Sequence, residues 1–185
     1  MRLGPGMRLA MFLLSACATT SAMEPSAVAT RPVVIRPGET HELETFSDFW
    51  LAMFEEVGII HERDMAPEWR VRLRRYMERR IREDDARFLV ALDGDSIVGT
   101  AAAIVSDGYP FVVHEILRGY VFGVRVAPTH RRRGIARRLT EGSIAFLRAR
   151  GCAKIRLHAS PFGRRIYEGL GFRPTNEMEL APERR

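Results

Sequence analysis

Five arginines crowd one glycine and one alanine in "RRRGIARRL", residues 131–139. Ahead of them, "VRVAP" reads as a strand that ends at Ala127, with Pro128 closing it. Behind them, apolar residues return at helical spacing from about Gly134 onward. A strand that turns tightly into a helix aims backbone N–H groups and the positive end of the helix dipole at one point, and an anion fits there. Gly134 has no Cβ and Ala136 only a methyl group, so backbone can approach a phosphate closely. Arg131, Arg132 and Arg133 can add charge-assisted contacts. This geometry suits a pyrophosphate better than a single phosphate.

The other chemistry-bearing residues form no such pattern. His41, His61, His114, His130 and His158 are scattered without metal-ligand spacing, and neither Cys17 nor Cys152 belongs to a CxxC pair. The expectation is no metal site and no disulfide framework. The formal net charge of +6 favours anionic partners, and it comes almost wholly from arginine, with Lys154 the only lysine. A basic nucleic-acid binder is disfavoured, because the arginines are spread over two helices, interleave with acids and accompany no DNA-binding motif. With 46% apolar and 28% charged residues, the chain reads as one soluble globular domain rather than a disordered segment.

The elements around the arginine loop follow from periodicity. "RPVVIRPG" (31–38) is a short first strand. "THELETFSDFWLAMFEEVG" is a helix with Thr40 as N-cap, and Leu43, Phe46, Phe49, Trp50, Met53 and Val57 recur at helical spacing. "APEWRVRLRRYMERRIREDD" is a second helix with Pro67 in its first turn and an apolar stripe at Trp69, Leu73, Met77 and Ile81. Its arginines, from Arg70 to Arg82, form a solvated face with i,i+4 pairing, part of which is free to face a substrate. "RFLVAL-DGD-SIVGTAAAIV" is a hairpin on an Asp-Gly turn. After the arginine loop come a helix ended by Gly151, a strand in "AKIRLHAS", a short helix in "GRRIYEGLGF" and a last short strand in "EMEL". Strand–helix–strand over 120–158 implies a parallel pair, so the sheet is mixed, with helices on both sides.

At this point a family resemblance enters. Arg131, Gly134 and Ala136 match, position by position, the (Gln/Arg)-x-x-Gly-x-(Gly/Ala) loop of the GCN5-related N-acetyltransferases (GNAT family). "VRVAP" resembles that family's fourth strand. In "HASPFGRRIYEGLGFRP", Tyr167 and the pair Gly171–Phe172 resemble its Tyr-x-x-x-Gly-Phe block. The motif likeness is concentrated in 120–174, and the likeness in element order covers about 31–181. It implies an α/β fold with a mixed, mostly antiparallel central sheet, helices on both faces and a splayed parallel strand pair at the acyl-CoA site.

The resemblance also implies acyl transfer from acetyl-CoA, as co-substrate, to a primary amine of a small molecule or peptide, by direct attack in a ternary complex. Val124, Arg125 and Val126 would bind the pantetheine arm and polarise the thioester. The run Arg131, Arg132, Arg133, Gly134, Ile135, Ala136 would hold the pyrophosphate, and Tyr167 would be the general acid. The base is a gap. Several relatives carry a glutamate eleven residues before the loop, where this chain has Tyr120. Glu115, His114 and the pair Glu55–Glu56 are substitutes, with Glu115 the named candidate and a water relay an equal alternative. The gap also leaves open a non-catalytic CoA-binding or regulatory module. The acceptor would be set by the first two helices and the 106–119 loop. A homodimer is an admissible assembly.

The first residues differ from the rest. "MRLGPGMRLAMFLLSACATTSAM" has Arg2 and Arg8, the apolar run Leu9 to Ala16, then Cys17, and "LSAC" resembles a bacterial lipoprotein box. The run is too short to span a bilayer. We expect residues 1–30 to be an N-terminal extension, signal-like or a mis-assigned start, without fixed structure, and 31–185 to be a single N-acetyltransferase domain. Acetyl-CoA is an intracellular metabolite, so the expected location is cytoplasmic, with no stable membrane association. A chain starting at Met23 should fold and turn over as the full chain does. Cys17 found lipidated in a membrane fraction would refute that location.

Overall fold

Alternation in "ARFLVALD" sorts its side chains onto two faces, because successive strand residues point to opposite sides of a sheet. In the computed structural model, which describes residues 32–106 and 117–178, both faces are buried. The elements run β1 (Val34–Pro37), α1 (Leu43–Glu56), α2 (Trp69–Arg82), β2 (Ala86–Asp93), β3 (Ser96–Ser106), β4 (Arg118–Val126), α3 (Ile135–Ala149), β5 (Lys154–Arg156) and α4 (Arg164–Glu168). The sheet order is β1-β2-β3-β4-β5. All neighbours are antiparallel except β4 and β5, which are parallel. This is the mixed α/β architecture expected from the sequence.

Phe88, Val90 and Ala102 face Leu43 and Phe46 of α1 and Met77 of α2. Leu89, Ala91 and Ala101 face Ile135 and Leu139 of α3. Further along the same face, Phe146 and Leu147 of α3 close over Val105, Val121 and Cys152. The α2 stripe is as read: Met77 is fully buried, Leu73 and Ile81 pack beside it, and Trp69 meets Trp50 of α1 with ring centroids 5.9 Å apart. Its arginines do pair along a solvated face, Arg74 with Glu78 at 2.8 Å and Arg70 with Asp48 and Glu62 at 3.0 Å.

Three local expectations change. Thr40 does not cap α1. It opens a 3-10 turn (Thr40–Glu42), and the Glu39 N–H is satisfied by Glu42 Oε2 at 2.7 Å. Pro67 lies outside α2, whose N-cap is Glu68 in a left-handed conformation. Glu177 and Met178 form no strand, and the rest of "EMEL" lies outside the described residues. The N-terminal segment with Cys17, and His114 and Glu115, also lie outside them.

Glu42 is buried and takes a bidentate contact from Arg36, 2.7 and 2.8 Å long, which ties β1 to the start of α1. That hydrogen-bonded guanidinium holds the Glu42 carboxyl below the usual range, against the opposing effect of burial. A carboxyl depressed in the folded state contributes stability above its unfolded pKa of about 4.3, and loses it as pH falls through the folded value. Glu42→Gln should therefore melt several degrees below wild type at pH 7. The gap should close as pH drops below about 4. Melts showing the same gap at pH 7 and pH 3 would refute this role.

Candidate functional site

The site begins with a fault in the β3–β4 ladder. Thr100 faces Arg125 and Ala102 faces Phe122, so Gly123 and Val124 together oppose the single residue Ala101. This is a β-bulge, which bends the strand and re-aims its backbone. Gly123 has φ +62°, and a Cβ there would lie 3.0 Å from Phe46 Cε2 and Cζ. Only glycine meets both demands. The buried Thr100 hydroxyl donates to the Gly123 carbonyl at 3.1 Å and satisfies the oxygen that the bulge turns inward. Reading "YVFGVRVAP" as a plain strand misses this bulge; a glycine inside a strand pattern was the available signal.

On its other edge β4 pairs with β5 only through Arg118, Gly119 and Tyr120. Beyond Tyr120 the two strands are no longer paired, and a cleft of about 750 Å³ opens beside the end of β4. Val124, Arg125 and Val126 form one wall, and Ser160 and Tyr167 stand on the other. The end is formed by the arginine loop and the start of α3.

That end has the local geometry that an anion site requires. After a 3-10 turn at Pro128–His130, Arg132 and Gly134 both take positive φ, +64° and +73°. The first α3 bond runs from the Arg138 N–H to the Gly134 carbonyl at 3.1 Å, and no side chain caps the helix. The N–H groups of Ile135, Ala136 and Arg137 therefore have no acceptor within the helix. They converge with the positive end of its dipole. A Cβ added at Gly134 would meet nothing within 4 Å. The glycine is thus required by its backbone angle and keeps open space on the cleft side, rather than making room for protein.

The arginines divide differently from the sequence expectation. Arg131 is engaged: Nε donates to the Val126 carbonyl at 3.1 Å, and NH2 meets Glu56 Oε1 at 2.5 Å. Arg125 reaches the same oxygen at 3.0 Å and lies 5.3 Å from the Phe49 ring centroid. Arg133 turns out of the cleft to Asp93 at 3.6 Å, which also contacts His130 Nε2 at 3.0 Å. Arg132 lines the cleft without an ion pair among the described residues. Arg137, unexpected from sequence, lines it too while pairing with Glu141 at 2.9 Å.

Tyr167 is 9% exposed in the cleft wall, set edge-on to Phe172 at 6.1 Å and over Gly163, where a Cβ would come within 2.7 Å of Cε2. Its hydroxyl takes none of the hydrogen bonds among the described residues. Burial pushes its phenol pKa up, so it keeps its proton at neutral pH.

The base candidates fare unequally. Glu56 is neutralised by Arg125 and Arg131 at the cleft mouth, and Glu55 accepts from the Glu62 N–H at 3.4 Å. Glu115 and His114 lie outside the described residues. Tyr120, in place of the glutamate, hydrogen-bonds His158 Nδ1. Among the described residues no cluster of His, Cys, Asp or Glu could hold a metal ion, and no helix is long and apolar enough to cross a membrane.

A parted parallel pair ending on an uncapped helix defines the acetyltransferase class of fold. The chain belongs to the acetyltransferase (GNAT) family, whose model matches residues 46–172. It is similar to a GCN5-related N-acetyltransferase from Ralstonia eutropha JMP134, at 27% identity and TM-score 0.71, over 82% of this chain and 99% of that one. An acetyltransferase from Clostridium acetobutylicum, solved with acetyl-CoA, is 24% identical with TM-score 0.72, over 81% and 96%. AAC(6')-Iy, in complex with a CoA-linked acetylneamine bisubstrate analogue, is 18% identical with TM-score 0.61, over 83% and 99%. No curated protein matches the chain.

Acetyl-CoA should raise the melting temperature, by an amount equivalent to about 2.7 kcal/mol at 100 times Kd. Gly134→Asp puts a carboxylate into the open space before the helix and should remove most of that shift. Gly134→Asn, which tolerates the same backbone angle without the charge, should lose less. Equal shifts in wild type and Gly134→Asp would show that the loop does not bind CoA.

Proposed function

We propose that the protein moves an acetyl group from acetyl-CoA to a primary amine of a small molecule or peptide by direct attack in a ternary complex. The observation that carries this reading is the cleft itself, which runs from the β4–β5 parting to the uncapped N–H groups of α3, with a buried, proton-bearing Tyr167 in its wall. The Gly134–Ala136 backbone and Arg132 hold the pyrophosphate. The edge of β4 at Val124 and Val126 binds the pantetheine arm, and one of its N–H groups polarises the thioester carbonyl. Arg131 and Arg125 contribute by fixing the loop and β4 to α1 through Glu56, rather than by direct contact.

As the amine nitrogen bonds to the carbonyl carbon and the C–S bond breaks, Tyr167 gives its proton to the leaving sulfur. The open mouth beside α1 admits the acceptor, and the 106–119 loop adds to its specificity. The reading places the enzyme in the cytoplasm, where its co-substrate is made.

Tyr167→Phe tests the assignment. The ring keeps its seat over Gly163 and against Phe172, so fold and acetyl-CoA affinity should change little. The rate, followed as thiol release over a panel of amines, should fall in kcat by roughly 10- to 1000-fold. Equal losses in kcat and kcat/KM mark a contact made only in the transition state. An unchanged kcat would leave Tyr167 a packing residue.

A further inference from the structure

Tyr120 and His158 meet where β4 and β5 part. Tyr120 is the last β4 residue paired with β5, opposite Arg156, and His158 follows that strand by two residues. The Tyr120 hydroxyl hydrogen-bonds His158 Nδ1, with the two rings 5.7 Å apart, and Tyr120 stacks on Phe122 at 6.4 Å. Tyr120 is half-buried and His158 is exposed. With the imidazole proton on Nε2, Nδ1 accepts from the phenol. The phenol oxygen is then left with lone pairs for another donor, and Nε2 of this exposed histidine takes none of the hydrogen bonds among the described residues.

Resting on the acetyl-transfer reading above, we propose that Tyr120 and His158 form the proton relay that serves the acceptor amine in place of a carboxylate base. Attack by the neutral amine places a positive charge on its nitrogen while that nitrogen bonds to the carbonyl carbon. The N–H proton passes to the Tyr120 oxygen as the phenol proton passes to His158 Nδ1. The phenol is regenerated, the imidazolium passes its Nε2 proton to water, and the ring returns through solvent exchange to the Nε2–H tautomer that accepts from the phenol. Thiolate departure then takes the separate proton held by Tyr167, and the resulting phenolate recovers a proton from water. Tyr120 is the catalytic residue, and His158 acts through it.

The surroundings support this division of labour. Burial first, and then the Glu177 carboxylate, push the Tyr120 phenol up, opposed by a hydrogen bond with the His158 backbone. A phenol that holds its proton cannot be the resting base, so basicity has to come from the imidazole behind it. The charged groups on the strands around the couple are Arg118 and Arg125 on β4 and Lys154 and Arg156 on β5, with Glu177 paired to Arg156. β3 presents only Ile104 opposite Tyr120.

The test is the pH profile of kcat/KM with an amine that wild type acetylates. Wild type should lose rate on an acid limb, because a protonated imidazole can no longer accept the phenol proton. Tyr120→Phe and His158→Gln should each lower kcat/KM by roughly 10- to 1000-fold and abolish that limb, while keeping the acetyl-CoA melting shift. Imidazole in solution should restore rate to His158→Gly, which a merely structural histidine would not allow. Unchanged rates in the Tyr120 and His158 variants, or loss of the limb in Glu115→Gln instead, would overturn the relay. Wild type that binds acetyl-CoA but acetylates no amine would overturn the acetyl-transfer reading, and the relay with it.

Discussion

The cleft depends on one backbone fault, the bulge at Gly123. A regular β4 would continue its ladder, present alternate residues evenly and have no cause to bend where it leaves β5. Inserting one residue against Ala101 turns the strand, and the left-handed angle at Gly123 lets Phe46 of α1 close against its bare Cα. The Thr100 hydroxyl makes the arrangement affordable by satisfying the inward carbonyl. An unsatisfied buried carbonyl would cost about 1–3 kcal/mol. The helix layer, the bulge and the opening of the site are therefore one packing solution.

Electrostatics around that opening work by subtraction. The loop carries far more positive charge than an anion site needs, and the protein supplies its own acids to direct it. Glu56 holds Arg125 and Arg131 together at the mouth, and Asp93 takes Arg133 and His130. What faces the cleft is then mainly fixed backbone dipole, with Arg132 and Arg137 beside it. N–H groups held by a folded loop need little rearrangement to meet a phosphate, whereas a flexible arginine loses rotamer freedom when it binds. Of the side chains that look most like ligands in the sequence, Arg131 and Arg133 are tied instead to acids of the protein itself.

In the proposed reaction, environment divides the chemistry between two tyrosines. Both phenols are raised by burial and so remain protonated. Tyr167 has no hydrogen-bond partner among the described residues, which leaves its proton to give. Tyr120 points its hydroxyl at an imidazole, which leaves its oxygen able to receive. In the proposed reaction one residue type thus serves two separate proton transfers, each with its direction set by what lies behind the ring.

Periodicity, punctuated by turn residues, determined the element order as far as α4, the two-sided burial of the sheet and the α2 stripe, because burial on a face imposes a repeat of two or about 3.6 residues on the chain itself. The strand–loop–helix with Gly134 and Ala136 was legible for the same reason: its requirements are local. Partnerships between distant residues were not. That Arg131 turns to Glu56, that Arg133 turns to Asp93, and that Tyr120 meets His158 depends on which elements lie side by side. That the Glu42 carboxylate, at the start of α1, holds the Glu39 N–H depended on where Arg36 of the neighbouring strand came to rest. A one-dimensional pattern records which face each residue must bury. Only the folded chain decides which charges, and which protons, end up within reach of one another.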